Sequence, residues 1–187
     1  MIFETVVTTV NEAGACHIAQ MGMRRDGEHY VIAPFKPSTT LVNLQQSGQA
    51  VINLTDDVCV IAGCLTGRHD WPLMPADEVQ GFVLQSALSH IEVAVDKVEQ
   101  DELRPRFYCR EVCSRQHGGF RGFNRAQAAV VEAAILVSRL DRLPREKIES
   151  ELALLAIAVE KTAGEREQQA WQWLTERVAD YYGDGAA

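Results

Sequence analysis

Pro34-Phe35-Lys36-Pro37-Ser38-Thr39-Thr40 stands between an apolar run, residues 30–33, and a helical pattern. Prolines shape the bend, and hydroxyl residues open the helix. The start of a helix leaves backbone N–H groups unpaired, and the helix dipole and Lys36 add positive charge beside them. The stretch therefore suits a bound phosphate, although a plain N-cap role for Ser38 or Thr39 is the commoner arrangement.

The residues before this bend predict three strands. Side chains along residues 2–10 alternate in the manner of a strand, and residues 15–21 form a second strand after turn residues 11–14. Residues 28–33 form a third strand after a second turn at Asp26-Gly27. Turns this short join antiparallel strands, so we expect the chain to enter the bend from a three-stranded meander.

The residues after the helix complete a predicted barrel. Residues 50–54 indicate a buried strand, and residues 58–65 a short helix. Residues 67–77 have no period and predict a long loop, a kind of segment that often covers a functional site. Two further strands, residues 90–98 and 104–114, bring the total to about six, which is typical of a closed or half-closed barrel.

The C-terminal part of the chain is predicted to be helical. Asn124 caps the first helix, Pro144 begins the second, and residues 165–182 form a third, so that the last two make a helical hairpin. We therefore expect a barrel over residues 1–116 and a helical region, residues 117–187, packed on it.

Composition and charge limit the function. The chain has 187 residues, is 47% hydrophobic and carries a net charge of -8, which argues against a broad nucleic-acid or anionic-membrane surface. The N-terminal residues resemble neither a signal peptide nor a membrane span, and five cysteines without a tight spacing fit reduced thiols. Both features predict a cytoplasmic protein.

A metal site is the first alternative to consider. Cys109, Cys113 and His117 have a spacing that invites zinc, but on a strand the two cysteines would lie on one face about 13 Å apart. That separation is too large for a shared ion, so we predict no metal and interpret the cysteines as small apolar residues.

The sequence contains no other recognised catalytic or nucleotide-binding motif. Ser38, His69 and Asp70 lack the nucleophile-elbow pattern, and neither a Walker loop nor a dinucleotide fingerprint occurs. Residues 118–125 combine glycines with Arg121 and Arg125 at a helix start, which fits a second anion site and a plain flexible connector equally well.

Several motifs together resemble the FMN-binding split barrels of the flavin reductase type. They are Ala15-Cys16-His17-Ile18-Ala19-Gln20-Met21-Gly22, Pro34-Phe35, Ser38-Thr39-Thr40-Leu41-Val42-Asn43-Leu44 and Ala50-Val51-Ile52-Asn53-Leu54. Residues 122–126, Glu132 and residues 138–140 are similar to an uncharacterised family of such barrels, found mainly in archaea, planctomycetes and methylotrophic bacteria. The resemblance implies a mainly β fold with α, a split β-barrel with a C-terminal helical hairpin.

The resemblance also implies a site. Split-barrel flavoproteins are homodimers that hold FMN at the subunit interface, with its phosphate on the loop and helix after the third strand. Carried over, the phosphate contacts are Lys36, Ser38, Thr39 and Thr40, and the ring contacts are Gln20, Met21, Gly22 and Met23. Asn53 is implied near the ribityl phosphate, Arg125 is a further anion contact, and His117, Arg125 and Trp71 are candidates for a nicotinamide-facing role.

Two functions follow from the resemblance. The first is an FMN-dependent oxidoreductase that exchanges electrons with a small-molecule donor or acceptor, its substrate and its catalytic residues being unknown. The second is a non-catalytic FMN-binding or sensor module whose helices serve a partner.

Overall fold

The computed structural model describes residues 1–183, which form two compact units. The barrel unit contains residues 1–56 and 70–120, and the helical unit contains residues 57–69 and, within the described range, residues 121–183. Residues 57–69, which the predicted division assigns to the barrel, belong to the helical unit. They are a helix inserted between two strands of the barrel sequence.

Six antiparallel strands close the barrel in the order β1-β2-β3-β8-β7-β4. They are β1 (Ile2–Val10), β2 (Cys16–Asp26), β3 (His29–Ile32), β4 (Gln49–Leu54), β7 (Ser89–Glu99) and β8 (Arg106–Gln116). Two short strands, β5 (Leu73–Pro75) and β6 (Phe82–Leu84), form a separate hairpin-like pair. The prediction of a six-stranded barrel is confirmed.

The interior of the barrel is apolar and takes one face of each strand. Val7, Ile32, Ile52 and Phe107 lie inside it and have almost no exposed surface. Helix α1 (Thr39–Ser47) adds Leu41 and Leu44 to the same cluster. The helix after the bend is therefore fixed to the barrel by burial of its apolar face.

The prediction of a loop throughout residues 67–77 is wrong, because β5 lies inside it and pairs with β6. Three-residue strands are too short to produce a periodic signal. We call residues 70–88 the outer segment, because they cover outward-facing residues of the barrel wall. The hydroxyl of Thr8 donates to the carbonyl oxygen of Phe82 at 2.5 Å, and Leu84 donates its N–H to Asn53 Oδ1 at 2.9 Å.

A bulge in β8 corrects the geometry expected of its cysteines. Glu92 pairs with Cys113, but its neighbour Val93 pairs with Glu111, so Val112 is skipped. The extra residue reverses the alternation. Cys109 therefore lies in the barrel core, where burial raises the pKa of its thiol to about 12, whereas Cys113 faces outward. The two sulfurs lie on opposite faces, not on one face as predicted.

The helical unit contains α2 (Val58–Leu65), α3 (Arg125–Val137), α4 (Arg145–Thr162) and α5 (Glu165–Gly183). Asn124 caps α3 as predicted, since its Oδ1 accepts from the N–H groups of Ala126 and Gln127 at 2.7 and 3.1 Å. Asp57 caps α2 and forms an ion pair with Arg166 of α5. Helix α3 packs against each of the other three. Within residues 1–183, none of the helices has the length and apolar character that crossing a membrane requires.

Candidate functional site

The bend after β3 forms a helix start of the predicted kind. Ser38 is the N-cap of α1, and its Oγ accepts from the N–H of Leu41 at 3.3 Å. Thr39 is exposed in the first turn, whereas Thr40 is buried. The N–H groups of Thr39 and Thr40 have no partner within the helix, so they and the exposed hydroxyl of Thr39 present donors to an anion.

The loop between β7 and β8 braces this bend. The backbone N–H of Lys36 donates to the carbonyl oxygen of Leu103, and Lys36 Nζ donates to that of Asp101, both at 2.8 Å. Asp101 in turn accepts from the N–H groups of Arg104 and Leu103, which hold the pKa of its carboxyl below the usual value. Lys36 is therefore held beside the helix start by contacts from another loop.

Arg104 is a residue of this site that sequence reasoning missed. Its Nε and Nη2 donate to the carbonyl oxygen of Ala33 at 3.1 and 3.0 Å, and its guanidinium lies 4.2 Å from the centre of the Phe35 ring. The arginine thus clamps the entry to the bend and adds a second positive charge near Lys36. Its loop carries no motif, so only the register of β3 against β8 could have revealed it.

The structure brings the predicted ring segment next to the predicted phosphate segment. Met23 of β2 pairs with Ile32, the last residue of β3, and lies in the same apolar cluster as Leu41 and Leu44 of α1. Met21 packs against that cluster while remaining partly exposed. The ring candidates on β2 thus lie beside β3, the strand that leads into the phosphate candidates of the same unit.

The outward-facing residues of the ring segment differ in what they leave accessible. Gln20 Nε2 donates to Glu4 Oε2 at 3.2 Å. Gly22 faces the same side, and a Cβ at this position would lie 3.0 Å from Ile2 Cγ2. The Ile2 side chain thus reaches over Gly22, and a flat ligand approaches the backbone there only when this exposed side chain moves aside.

Asn53 is held inside the protein. Its Nδ2 donates to the carbonyl oxygen of Val6 at 3.0 Å and lies 3.3 Å from the Thr8 hydroxyl, and its Oδ1 accepts from the N–H of Leu84. The residue has no exposed surface. In this structure Asn53 fastens the outer segment to the barrel and presents no atom to a ligand.

The remaining candidates are distributed over both units. Arg125 is the exposed first residue of α3 and belongs to the helical unit. Trp71 is half-buried at the start of the outer segment. His117 is exposed just after β8, and its Nε2 lies 2.8 Å from Nδ1 of the buried His90. Sequence reasoning did not single out His90, because it occupies an ordinary outward position of a strand.

A buried carboxylate stands behind His90. Glu92 has no exposed surface, and its oxygens accept from the N–H groups of Asp77, Glu78 and Val79 at 2.7 to 2.8 Å and lie 3.1 Å from His90 Nε2. Burial opposes ionisation of Glu92, but these donors outweigh it and hold its pKa below the usual value. The side chain is therefore a carboxylate that fixes part of the outer segment.

One group of side chains within residues 1–183 has the spacing of metal ligands. It contains Asp77, Glu92 and Cys113, whose ligand atoms lie within 4.8 Å of one another. The oxygens of Glu92 are occupied by the donors just described, and Asp77 pairs with Arg115 at 2.9 Å. The group is accounted for by these internal contacts.

Comparison with protein families gives two matches. The model described as "Protein of unknown function (DUF447) N-terminal domain" matches residues 3–118, and that described as "Protein of unknown function (DUF447)" matches residues 124–176. Between them they cover nearly the whole chain. No curated protein matches it.

Comparison with solved structures finds the same fold. The FMN-bound protein MM1853 from Methanosarcina mazei, of the same family model, has a TM-score of 0.83 at 19% identity, over 94% of each chain. The 2-nitrobenzoate 2-nitroreductase NbaA of Pseudomonas fluorescens has a TM-score of 0.54 at 20% identity, over 61% of this chain and 64% of its own. The NADH:FAD oxidoreductase SgcE6 of Streptomyces globisporus has a TM-score of 0.53 at 12% identity, over 64% and 79%.

Proposed function

The chain belongs to the DUF447 family, and from this premise we propose that it binds FMN in its barrel unit and acts as a flavin-dependent oxidoreductase. The predicted membership of an uncharacterised split-barrel family is thereby confirmed. The proposal takes its cofactor from the FMN-bound member of the family and its reaction class from the fold shared with a nitroreductase and an NADH:FAD oxidoreductase.

The observation that carries the proposal is the pairing of Met23 with Ile32. This pair places a strand with a glycine gap beside a helix start that offers N–H groups, hydroxyls and a braced lysine. FMN needs both a flat apolar surface for its ring and an anion site for its phosphate. In this proposal β2 offers the first, and the helix start that follows the neighbouring β3 offers the second.

The residues present fit the phosphate of FMN. Ser38 and Thr39 supply hydroxyls at the start of α1, and Lys36 and Arg104 supply positive charge in a protein of net charge -8. Charge-assisted hydrogen bonds from such groups are about twice as strong as neutral ones. Thr40 completes the predicted set, but its burial gives it a supporting role under the helix start.

The residues also fit the ring. Gly22 would let the isoalloxazine approach the outward face of β2 once the exposed Ile2 side chain moves aside, with Gln20 at its polar edge. Met21 and Met23 would support this strand from inside the barrel. FMN, when bound, supplies the hydride or electron transfer, and the chain's own task is to bind it, orient it and limit the access of water.

We further propose that the barrel works as a homodimer with FMN at the subunit interface. Apolar side chains are exposed around the candidate site: Phe35 is 49% exposed and Leu103 is 68% exposed, and their loops are joined by the bond from Lys36 to Leu103. Exposed apolar clusters beside a binding site are typical of interfaces. The alternative function is an FMN-binding module without turnover, acting in the cytoplasm through a protein partner.

Titration with FMN tests the proposal. The visible absorption of FMN should change saturably when purified protein is added, and the double variant Lys36→Ala/Ser38→Ala should bind about tenfold or more weakly. Lys97→Ala is the matched control, because it removes an exposed lysine of the same unit that pairs with Glu99 and makes no bond to the bend. Wild-type protein that does not bind FMN would refute the proposal.

A second step separates the enzyme from the binding module. FMN-loaded protein is mixed anaerobically with NADH, and the flavin absorption band is followed in time. Bleaching faster than that of free FMN under the same conditions supports the oxidoreductase. Tight binding with no faster bleaching, repeated with NADPH and with a reduced deazaflavin, leaves the non-catalytic module as the function.

A further inference from the structure

Three side chains on the outer face of the barrel form one hydrogen-bonded chain that the proposed flavin site does not use. Glu92 Oε1 lies 3.1 Å from His90 Nε2, and His90 Nδ1 lies 2.8 Å from His117 Nε2. Glu92 and His90 are buried, whereas His117 is exposed. These hydrogen bonds therefore link the buried carboxylate of Glu92, through His90, to His117 at the surface.

The protonation states follow from the donors around Glu92. Three backbone N–H groups already point at its oxygens, so the carboxylate accepts from His90 and does not donate to it. His90 must then carry its proton on Nε2. When His90 is neutral, its Nδ1 has a lone pair, and His117 Nε2 must be the donor of the second bond.

These protonation states leave Nδ1 of His117 as the nitrogen that can accept a proton from a ligand. With Nε2 protonated, the neutral ring of His117 has its lone pair on Nδ1, and no residue in the described range 1–183 forms a hydrogen bond with that nitrogen. The rings of His90 and His117 are nearly parallel, with centroids 5.0 Å apart and planes at 14°. His117 is thus held in one orientation by a ring that is itself fixed.

The space beside His117 is open. A Cβ added at Gly119 would meet no atom within 4 Å, and one added at the neighbouring Gly118 would meet Leu88 Cδ2 at 3.2 Å. The backbone N–H groups of His117 and Gly118 both donate to the carbonyl oxygen of Leu88, at 2.8 and 2.9 Å. The main chain is therefore anchored where the side chain is accessible.

The charged groups around the cluster are mainly acidic, because Asp77, Glu78 and Glu92 carry negative charge and Arg115 carries positive charge. On the outer segment, Asp77 pairs with Arg115 of β8, and Glu78 lies next to it. Cys113 of β8 lies 3.9 Å from Asp77. Of these groups only Glu92 contacts His90 directly.

We propose that His117 is a general acid–base group, positioned through His90 by the carboxylate of Glu92, and that it exchanges a proton with a weak oxygen acid bound beside Gly119. In the base direction, the O–H bond of the ligand breaks, its electron pair stays on the oxygen, and the proton forms a bond to His117 Nδ1. The imidazolium keeps its Nε2–H bond to His90, and Glu92 balances the charge.

The ligand class follows from this chemistry. A neutral imidazole exchanges protons efficiently with groups that titrate near neutral pH, such as activated phenols and enols. Neither FMN nor any residue of the helical unit takes part in the inference. The site can therefore be examined on protein without cofactor.

Nitrogen NMR tests the hydrogen-bonded series of Glu92, His90 and His117, which we call the relay. Protein labelled with ¹⁵N at histidine should show a coupling through the hydrogen bond between His117 Nε2 and His90 Nδ1, and slowly exchanging Nε2–H protons on both rings. His29 is the internal control, because it contacts Asp96 at 3.3 Å but has no second histidine behind it. Absence of the coupling in folded protein would overturn the relay.

A phenol tests the proton transfer. 4-Nitrophenol is added at a pH just below its own pKa, and the absorbance of the phenolate is measured. Wild type and His29→Gln should raise the phenolate signal, whereas His117→Gln and His90→Gln should not. The variant His90→Gln keeps Glu92 and its three backbone donors, so it interrupts the relay without removing the carboxylate that fixes the outer segment.

Each result bears on the proposal. A coupling together with a phenolate signal that depends on both histidines supports it. A coupling without any rise in phenolate shows that the cluster only fixes the outer segment, and this result overturns the acid–base role. A rise that survives in His117→Gln places the base elsewhere and also overturns it.

Discussion

Met23 and Ile32 pair across β2 and β3, and both side chains lie in the core that α1 completes. The pair joins the two halves of the candidate cofactor site, because β2 carries the glycine gap and β3 leads into the helix start. Changes on either strand can therefore be tested against one ligand. The predictions below follow from that arrangement and from the polar contacts around it.

A side chain at position 22 should weaken FMN binding more than it weakens folding. The Cβ of Gly22→Ala would lie 3.0 Å from Ile2 Cγ2, but Ile2 is exposed near the chain start and can move. We expect a change of at most about 1 kcal/mol in unfolding free energy, measured by urea denaturation. FMN affinity should fall about tenfold, since the methyl group displaces the ring.

The double variant Gly22→Ala/Ile2→Ala distinguishes the two causes. It removes the close contact with Ile2 and retains the methyl group on the strand surface. Affinity that stays low in the double variant places the ring on β2. Recovery to the wild-type value would mean that only the contact with Ile2 mattered.

Loss of Arg104 should loosen the bend. Arg104→Ala removes both donors to Ala33 and the contact with the Phe35 ring, so we expect about 1–2 kcal/mol less stability and weaker FMN binding. Arg104→Lys keeps the charge but loses the pair of hydrogen bonds to the Ala33 carbonyl. Its FMN affinity should lie between those of wild type and Arg104→Ala. Arg110→Ala, an exposed arginine paired with Asp96, is the control and should leave affinity unchanged.

Asn53→Ala should damage stability and leave FMN contacts intact. The variant removes the acceptor of the Leu84 N–H and the donor to the Val6 carbonyl, both buried. We expect a loss of about 2–4 kcal/mol in chemical denaturation. FMN affinity measured well below the melting temperature should stay within about twofold of wild type. A much larger drop in FMN affinity would show that Asn53 contacts the cofactor.

Glu92 should contribute stability that depends on pH. Its pKa is lower in the folded protein than in the unfolded chain, so its contribution is present above the ordinary carboxyl pKa and is lost as the pH falls through the folded value. At neutral pH, Glu92→Gln should cost about 3 kcal/mol, and the difference from wild type should shrink in acid. Asp96→Asn, at an exposed ion pair, should change stability by less than about 1 kcal/mol at either pH.

The parts of the fold that sequence predicted are those with a strong local signal. Residues 2–10 form one nine-residue strand rich in β-branched residues, and the helix caps at Ser38 and Asn124 have side chains that accept from the next turn. Such local rules hold because each residue acts on its immediate neighbours. The barrel order itself came from the resemblance and from the count of strands.

The parts that sequence did not predict depend on contacts between distant residues. Val112 looks like any strand residue, yet the bulge there turns Cys113 outward. Asn53 and His90 look like the solvent face of their strands, but both are buried, and Asn53 bonds to Leu84 of the outer segment. Arg104 lies in a loop without a motif and reaches back 71 residues to Ala33. None of these contacts has a signal within its own stretch of sequence.

Because helix α2 is inserted into the barrel sequence, no single division of the chain gives each unit all of its own residues. Residues 57–69 leave the barrel sequence, join the helical unit and return, and Val58, Val60 and Ile61 are buried there. A protein truncated after residue 120 would retain α2 but lose α3 and α5, the helices against which it packs. The barrel expressed without its C-terminal helices should therefore aggregate through that uncovered apolar surface, and recombination between relatives must exchange α2 together with the chain from Arg121 onward.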